Sequence, residues 1–340
     1  MRFDNPIYDH GFEFPDLADF PGVESEPRFI DTNRSAHDLA EMQKAFDNND
    51  YNEFLKLIST YTILDKRTRG KLSRFFEFYQ TFGKNRTLMT DIADSQHHQS
   101  MYELGYSTAH LDLSKIRASL ESEIERLYAI EDWRPPIGTM DRGAPINKII
   151  RRDIQDVLEQ SGMLAAASKY LSAGRHLKVG SAYLVVGTPT DNHWKQFFYD
   201  QTYVSRTTNL HIDPVENQIK VMMYLNTVDD ASGPFSFVPR SHRWVYDDVQ
   251  NLLGRSIATG NYCDTPQKRS AIFKLPRKLR VSYNFGRSLL DTDPQQKIIT
   301  DLEQSFTSDS ANTILFDPAG MHKGGICESK DRIAIQVLLK

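Results

Sequence analysis

The sequence predicts an α+β chain with a mainly β core, a double-sheet jelly roll preceded by helices. Two observations carry that expectation. Apolar residues at helical spacing dominate before about Gly180, and short β-branched runs dominate after it. Those runs are separated by loops containing Gly and Pro: Gly187-Thr-Pro, Ser232-Gly-Pro, and Asp317-Pro with Gly320. Short strands with turn signals at moderate spacing fit a jelly roll better than a parallel α/β sheet.

The first ~35 residues, rich in Pro, Asp and Phe, carry little period and read as an extended arm. Leu39, Met42 and Phe46, then Phe54, Leu57 and Ile58, recur at threes and fours, and the polar Asp47–Asp50 stretch divides them into two helices. A basic helix is expected from Thr68 to Phe82, with Leu72, Phe75, Phe76 and Tyr79 on one face. His97 and His98 fall in a polar stretch that reads as a solvated loop. Further helices are expected over Ser114–Ile130, capped by Ser114 after Asp112, and over Lys148–Leu171. Strands are expected at Ala182–Gly187, Ile219–Asn226, Thr313–Phe316 and Arg332–Leu339. Residues 1–100 thus read as an arm and helical extension and 101–340 as the core domain, with 245–308 a lid-like insertion.

The chain has 340 residues, 39% hydrophobic and 25% charged, which suffices for one large core or two modest ones. A formal net charge of −4 gives no argument for wholesale binding to nucleic acid or an anionic membrane. No stretch approaches the ~18 consecutive apolar residues of a membrane span, and the N-terminus lacks a secretory apolar segment. The two cysteines, Cys263 and Cys327, exclude a disulfide framework and suit a reducing cytoplasm, the expected location.

The chemistry concentrates in His211-Ile-Asp213. Side chains two apart on a strand face the same way, so an imidazole and a carboxylate at this spacing can grip one ion. With a further histidine they form the 2-His-1-carboxylate set of non-haem iron(II) sites, open on its opposite face. The motif alone is weak, because His110-Leu-Asp112 repeats it. That copy runs directly into the helix start at Ser114, where Asp112 serves the helix N-terminus. His322 is the expected partner of His211 and Asp213. It follows a strand and a Pro/Gly turn, ten residues before the last strand. In that strand Ile333, Ile335, Val337 and Leu339 share the face expected to pack on helices, which turns Arg332, Ala334, Gln336 and Leu338 into the barrel. An inward arginine is costly unless it meets an anion, and its fork of donors matches a carboxylate. Its alternative is a surface pair with Asp331 or Glu328. His242 reads as part of a loop-anchoring turn rather than a fourth ligand.

The order His211-x-Asp213, then Gly233-Pro-Phe-Ser-Phe-Val-Pro-Arg-Ser-His-Arg, then His322 and Arg332, resembles the phytanoyl-CoA dioxygenase family. The family's Gly-Tyr strand leading into a helix is similar to the stretch from Gly105-Tyr106 to Ile130, so the resemblance covers about residues 100 to 340. It implies a double-stranded β-helix (a cupin-like jelly roll) that binds iron(II) through His211, Asp213 and His322 and 2-oxoglutarate through Arg332. Arg240 stands where Pro-Gly-Ser-His is common, and Gly324 replaces a frequent hydroxyl residue. The His322-to-Arg332 spacing is a residue shorter than in the type member.

The implied activity is oxidation by O2 of a C–H bond in a small molecule, hydroxylation foremost, with release of succinate and CO2. Asp213 disfavours halogenation, because family halogenases lack that carboxylate. The rivals are a cupin-like metalloenzyme that needs no 2-oxoglutarate and a non-catalytic binding protein on the same barrel. The basic stretch Lys274, Arg277, Lys278, Arg280 and Arg287 reads first as a solvated face, and only slightly favours an anionic or carrier-bound substrate. Phe273, Tyr283 and Phe285 line a lid pocket or pack the lid. The first hundred residues and the insertion are expected to build the substrate chamber or a homodimer contact.

Overall fold

A computed structural model of the chain describes residues 32–59, 66–78, 80, 95–130, 139–171, 176–189, 213, 218–243 and 294–340. The expected helix pair is present as α1 (Thr32–Asp47) and α2 (Tyr51–Ser59), joined where Asn49 takes a left-handed backbone and Asp50 accepts the Glu53 N–H at 3.0 Å. With α3 (Lys66–Phe78) they enclose Met42, Phe46, Phe54, Ile58, Leu72 and Phe76, all buried. The Phe76 ring meets Phe46 edge-on at 5.2 Å and tilts against Phe54 at 5.4 Å.

The next helix, α4 (Gln96–Leu104), corrects the reading of His97 and His98 as a solvated loop. Ser95 caps it by accepting the His98 N–H, and Gly105 ends it at φ +88°. There follow β1 (Tyr106–Ala109), α5 (Ser114–Tyr128) and β2 (Thr139–Pro145). Ser114 is not the α5 cap. It is the first helical residue, and its N–H is taken by Asp112 at 3.0 Å. The single helix expected over 148–171 is two, α6 (Lys148–Gln160) and α7 (Met163–Leu171). They break at Gly162, which sits at φ +81°, while Ser161 accepts the Met163 N–H. The rest is β3 (Val179–Pro189), β4 (Ile219–Tyr224), β5 (Phe235–Phe237), α8 (Pro294–Leu302), β6 (Gln304–Phe306), β7 (Thr313–Phe316), β8 (His322–Gly324) and β9 (Arg332–Leu339). The end of the stretch expected to be an insertion therefore contributes β6 to the core. Residues 244–293 lie outside the described residues. Among the described residues, no helix is long and apolar enough to cross a membrane.

The strands form two antiparallel sheets, a six-stranded one in the order β1-β7-β4-β9-β3-β2 and a three-stranded one in the order β6-β5-β8. Alternation along the strands divides the interior in two. On one face of the large sheet, Ile333, Ile335, Val337 and Leu339 of β9 join Val221 and Met223 of β4. They pack with the apolar stripes of α5 and α6, Ile116, Leu120, Ile124 and Leu127, then Ile150, Ile154 and Leu158. The opposite face turns Tyr106, Met222, Tyr224, Ile314, Phe316 and Ala334 toward Phe235, Phe237 and Phe306 of the small sheet. A one-residue slip of β9 would exchange these faces and put Arg332 among the helices, so the register is strongly fixed.

Candidate metal centre

Asp213 and His322 meet at the edge of the layer between the sheets. They are 3% and 4% exposed, and Asp213 Oδ2 lies 3.6 Å from His322 Nε2. The loop between β7 and β8 sets both. Asp317 begins it, taking the Ala319 N–H on Oδ1 at 2.8 Å and the Tyr170 hydroxyl on Oδ2 at 2.6 Å. Its own N–H donates to Gly105 O, and the Gly320 N–H closes the turn on Asp317 O. Asp213 docks on that turn by donating its N–H to Pro318 O at 2.8 Å. Gly320 is required there, because a Cβ would run into the Phe237 ring.

His322 Nδ1 lies 2.9 Å from Gly320 O. A carbonyl only accepts, so Nδ1 carries a proton and Nε2 is the ring nitrogen that faces Asp213, the one a metal would take. Rings of Phe316 and Phe235 flank the imidazole at 5.0 and 5.9 Å. Two ligands at neighbouring positions on one ion, each about 2.1 Å from it, stand about 3 Å apart. The 3.6 Å separation of a buried carboxylate oxygen and a buried imidazole nitrogen fits a divalent ion after a small adjustment.

Arg332 is buried at the inward start of β9, 7% exposed, rather than spread on the surface. Its Nη1 donates to Gly325 O at 3.0 Å and to Gly233 O. The guanidinium lies over Gly324, where a Cβ would be 3.4 Å from Nη2. The space of the expected hydroxyl side chain is thus bordered by the guanidinium itself. Gly233, at φ +65°, must be glycine because a Cβ would stand 2.5 Å from Gly325 O. Asp331 takes the Tyr128 hydroxyl at 2.9 Å. Tyr224, near Arg332, accepts the Phe235 N–H and donates to Phe306 O. Burial pushes its phenol up to about 12, against the opposing pull of the Arg332 charge, so it stays protonated.

The other sequence candidates separate cleanly. His211 lies outside the described residues, as do Phe273, Lys274, Arg277, Lys278, Arg280, Tyr283, Phe285 and Arg287. Among the described residues no group of three His, Cys, Asp or Glu is placed to hold a metal. Asp112 serves the start of α5, and its bonds to Ser114 hold its carboxyl below the usual range. His242 lies under Gly105, whose Cβ would be 2.5 Å from Nδ1, and its Nε2 is 3.3 Å from Tyr102 O. It anchors the loop. Sequence reasoning missed Tyr170 and Asp317, which position His322, and Lys220, whose Nζ contacts Asp213 Oδ2. Lys220 carried a signal. It is the polar residue on the inward side of Ile219–Tyr224, in line with Met222 and Tyr224.

No family model and no curated protein matches the chain. Solved structures similar to it include enzymes described as non-heme and α-ketoglutarate dependent. One is the epimerase SnoN from nogalamycin biosynthesis, 15% identical, covering 72% of this chain and 81% of that one, with a TM-score of 0.43. The carbocyclase SnoK, also from nogalamycin biosynthesis, is 14% identical over 73% and 84%, with a TM-score of 0.42. HygX from Streptomyces hygroscopicus, solved with nickel and 2-oxoglutarate bound, is 15% identical over 73% and 87%, with a TM-score of 0.39.

Proposed function

We propose that the chain is an iron(II)- and 2-oxoglutarate-dependent oxygenase of the phytanoyl-CoA dioxygenase type, built on a jelly-roll core, that hydroxylates a C–H bond of a small molecule. The observation that carries this is the convergence of Asp213 and His322 beside an inward Arg332. His322 and Gly324 share one side of β8, and the guanidinium lies over Gly324. One such strand step is about 6.6 Å, comparable to the length of a five-carbon diacid. A 2-oxo acid end at the metal and a far carboxylate at Arg332 fit that span.

In this reading His211, Asp213 and His322 hold iron. The iron, with 2-oxoglutarate and O2, supplies oxidation of an unactivated C–H bond and leaves succinate and CO2. The protein's own contribution is position and dryness. The Asp317 turn fixes the imidazole, and the charge of Arg332 orients the far carboxylate of the diacid. Phe235, Phe316 and Met222 keep water from the layer between the sheets. The reading places the substrate chamber among residues 1–100 and the 245–308 stretch.

The test is succinate formation by the full chain with Fe(II), 2-oxoglutarate and O2. Turnover is expected in the wild type and is abolished in Asp213→Ala and His322→Ala. Arg332→Gln is expected to raise the KM for 2-oxoglutarate about 100-fold, the cost of stripping one partner from a buried charge pair. Unchanged succinate in His322→Ala, or product formed equally well without 2-oxoglutarate, overturns the proposal.

A further inference from the structure

Lys220 stands on the inward side of β4, beside Phe316 of β7 and Leu338 of β9 in the sheet register. Its ammonium contacts Asp213 Oδ2, the same oxygen that faces His322 Nε2. The carboxylate is 4% exposed at its side chain and the lysine 29%. A carboxylate so far from water needs a compensating positive charge. The ammonium supplies one where a divalent ion shared by Asp213 and His322 would also bind. The two cations cannot both stay there, since an ion of charge +2 within a few ångströms of an ammonium in a poorly solvated layer is strongly repelled.

We infer, resting on the metal-site reading above, that Lys220 is a built-in counter-ion of the metal-free centre, which the incoming metal must displace from Asp213. The lysine has somewhere to go. Next along the same side of the sheet, Met222 aligns with Gln336 and Gln336 with Tyr183, and Tyr183 is 49% exposed. An ammonium on a four-carbon stem can turn from the carboxylate toward that open end while its methylenes stay on Leu338. Lys220 is thus a positioning residue. It holds the Asp213 carboxylate in place before metal arrives and sets the metal affinity by competing for one oxygen.

The competition has a thermodynamic signature independent of turnover. Removing the ammonium leaves Asp213 buried without that charge in the metal-free state, and the metal-bound state is little affected. The metal-free protein is then less stable and metal binding tighter. The experiment uses the full chain stripped with a chelator and titrated with Mn(II), read by calorimetry and by thermal unfolding with and without metal. Lys220→Met and Lys220→Gln are compared with Lys220→Arg and His322→Ala, the glutamine variant retaining a donor for Asp213 should the methionine variant fail to fold. Mn(II) is expected to bind the wild type, to bind the Gln or Met variant about tenfold tighter, and to raise its melting temperature by more than it raises the wild type's. Lys220→Arg keeps the charge and stays near wild type. Binding that is equal in wild type and neutral variants, or weaker in the latter, overturns the counter-ion role while leaving the metal site standing. Mn(II) binding that is absent, or that survives His322→Ala unchanged, overturns the metal site and this inference with it.

Discussion

Arg240 lies in the turn before Ser241–Arg243 with φ +70°, a conformation that crowds the Cβ of any L residue. Its N–H nevertheless donates to Leu104 O at 2.8 Å, tying the turn to the end of α4. The family resemblance places glycine at this position, and the backbone supplies the reason. Arg240→Gly is expected to raise the unfolding free energy by up to about 1 kcal/mol, the relief of the left-handed strain less the freedom glycine adds to the unfolded chain. Urea unfolding at unchanged slope checks this, and a lower midpoint would show that arginine side-chain contacts outweigh the strain. The same scale shows what could be read in advance. Alternation in Arg332–Leu339 turned Arg332 inward without any structure, because Ile333 and Ile335 claim the other side. Lys220 in Ile219–Tyr224 went unread, because one lysine in an otherwise apolar strand does not say which face is inward or which carboxylate it meets. That depends on the Asp317 turn, which brings Asp213 from a distant part of the chain.

At the scale of elements, caps and turns explain both the successes and the errors. Asp112 before α5 and Asn147 before α6, which accepts the Ile149 and Ile150 N–H groups, mark starts that the sequence announces. Ser95 and Gly105 bracket α4 in the same way, yet its interior is too polar for helical periodicity to show. His98 is buried there by packing of α4 on α7, a tertiary fact. Among the described residues neither His98 ring nitrogen has a hydrogen-bond partner, and burial holds its pKa below the usual histidine value. The unfolded chain therefore takes up this proton more readily than the folded one. The stability that neutral His98 permits is complete above the unfolded pKa of about 6.5 and is lost as pH falls below it, by up to about 1.4 kcal/mol per pH unit. His98→Phe is expected to reduce the drop in urea midpoint between pH 7.5 and pH 5.5. An unchanged drop would place the acid sensitivity elsewhere.

On the whole-molecule scale the large sheet carries a separate core on each side, and both are assembled from residues 101 onward. The core against α5–α7 is mostly aliphatic. The core against the small sheet is rich in aromatic rings, and the candidate centre of Asp213, His322 and Arg332 lies on its side of the large sheet. Among the described residues, none of α1–α3 belongs to either core. Phe46, Phe54 and Phe76 pack on one another, with Tyr51 edge-on to Phe76 at 5.3 Å. The described residues of both cores lie after Ser95, and we expect a chain beginning at Ser95 to fold on its own. Such a chain is expected to unfold cooperatively and to retain its rise in melting temperature with Mn(II), because no described residue of the centre lies before it. Circular dichroism melts with and without metal decide the matter. A shortened chain that aggregates, or that no longer responds to Mn(II), would show that the first hundred residues cover the sheet or complete the centre. A shortened chain that keeps the metal response but oxidises no substrate would assign them to the substrate chamber.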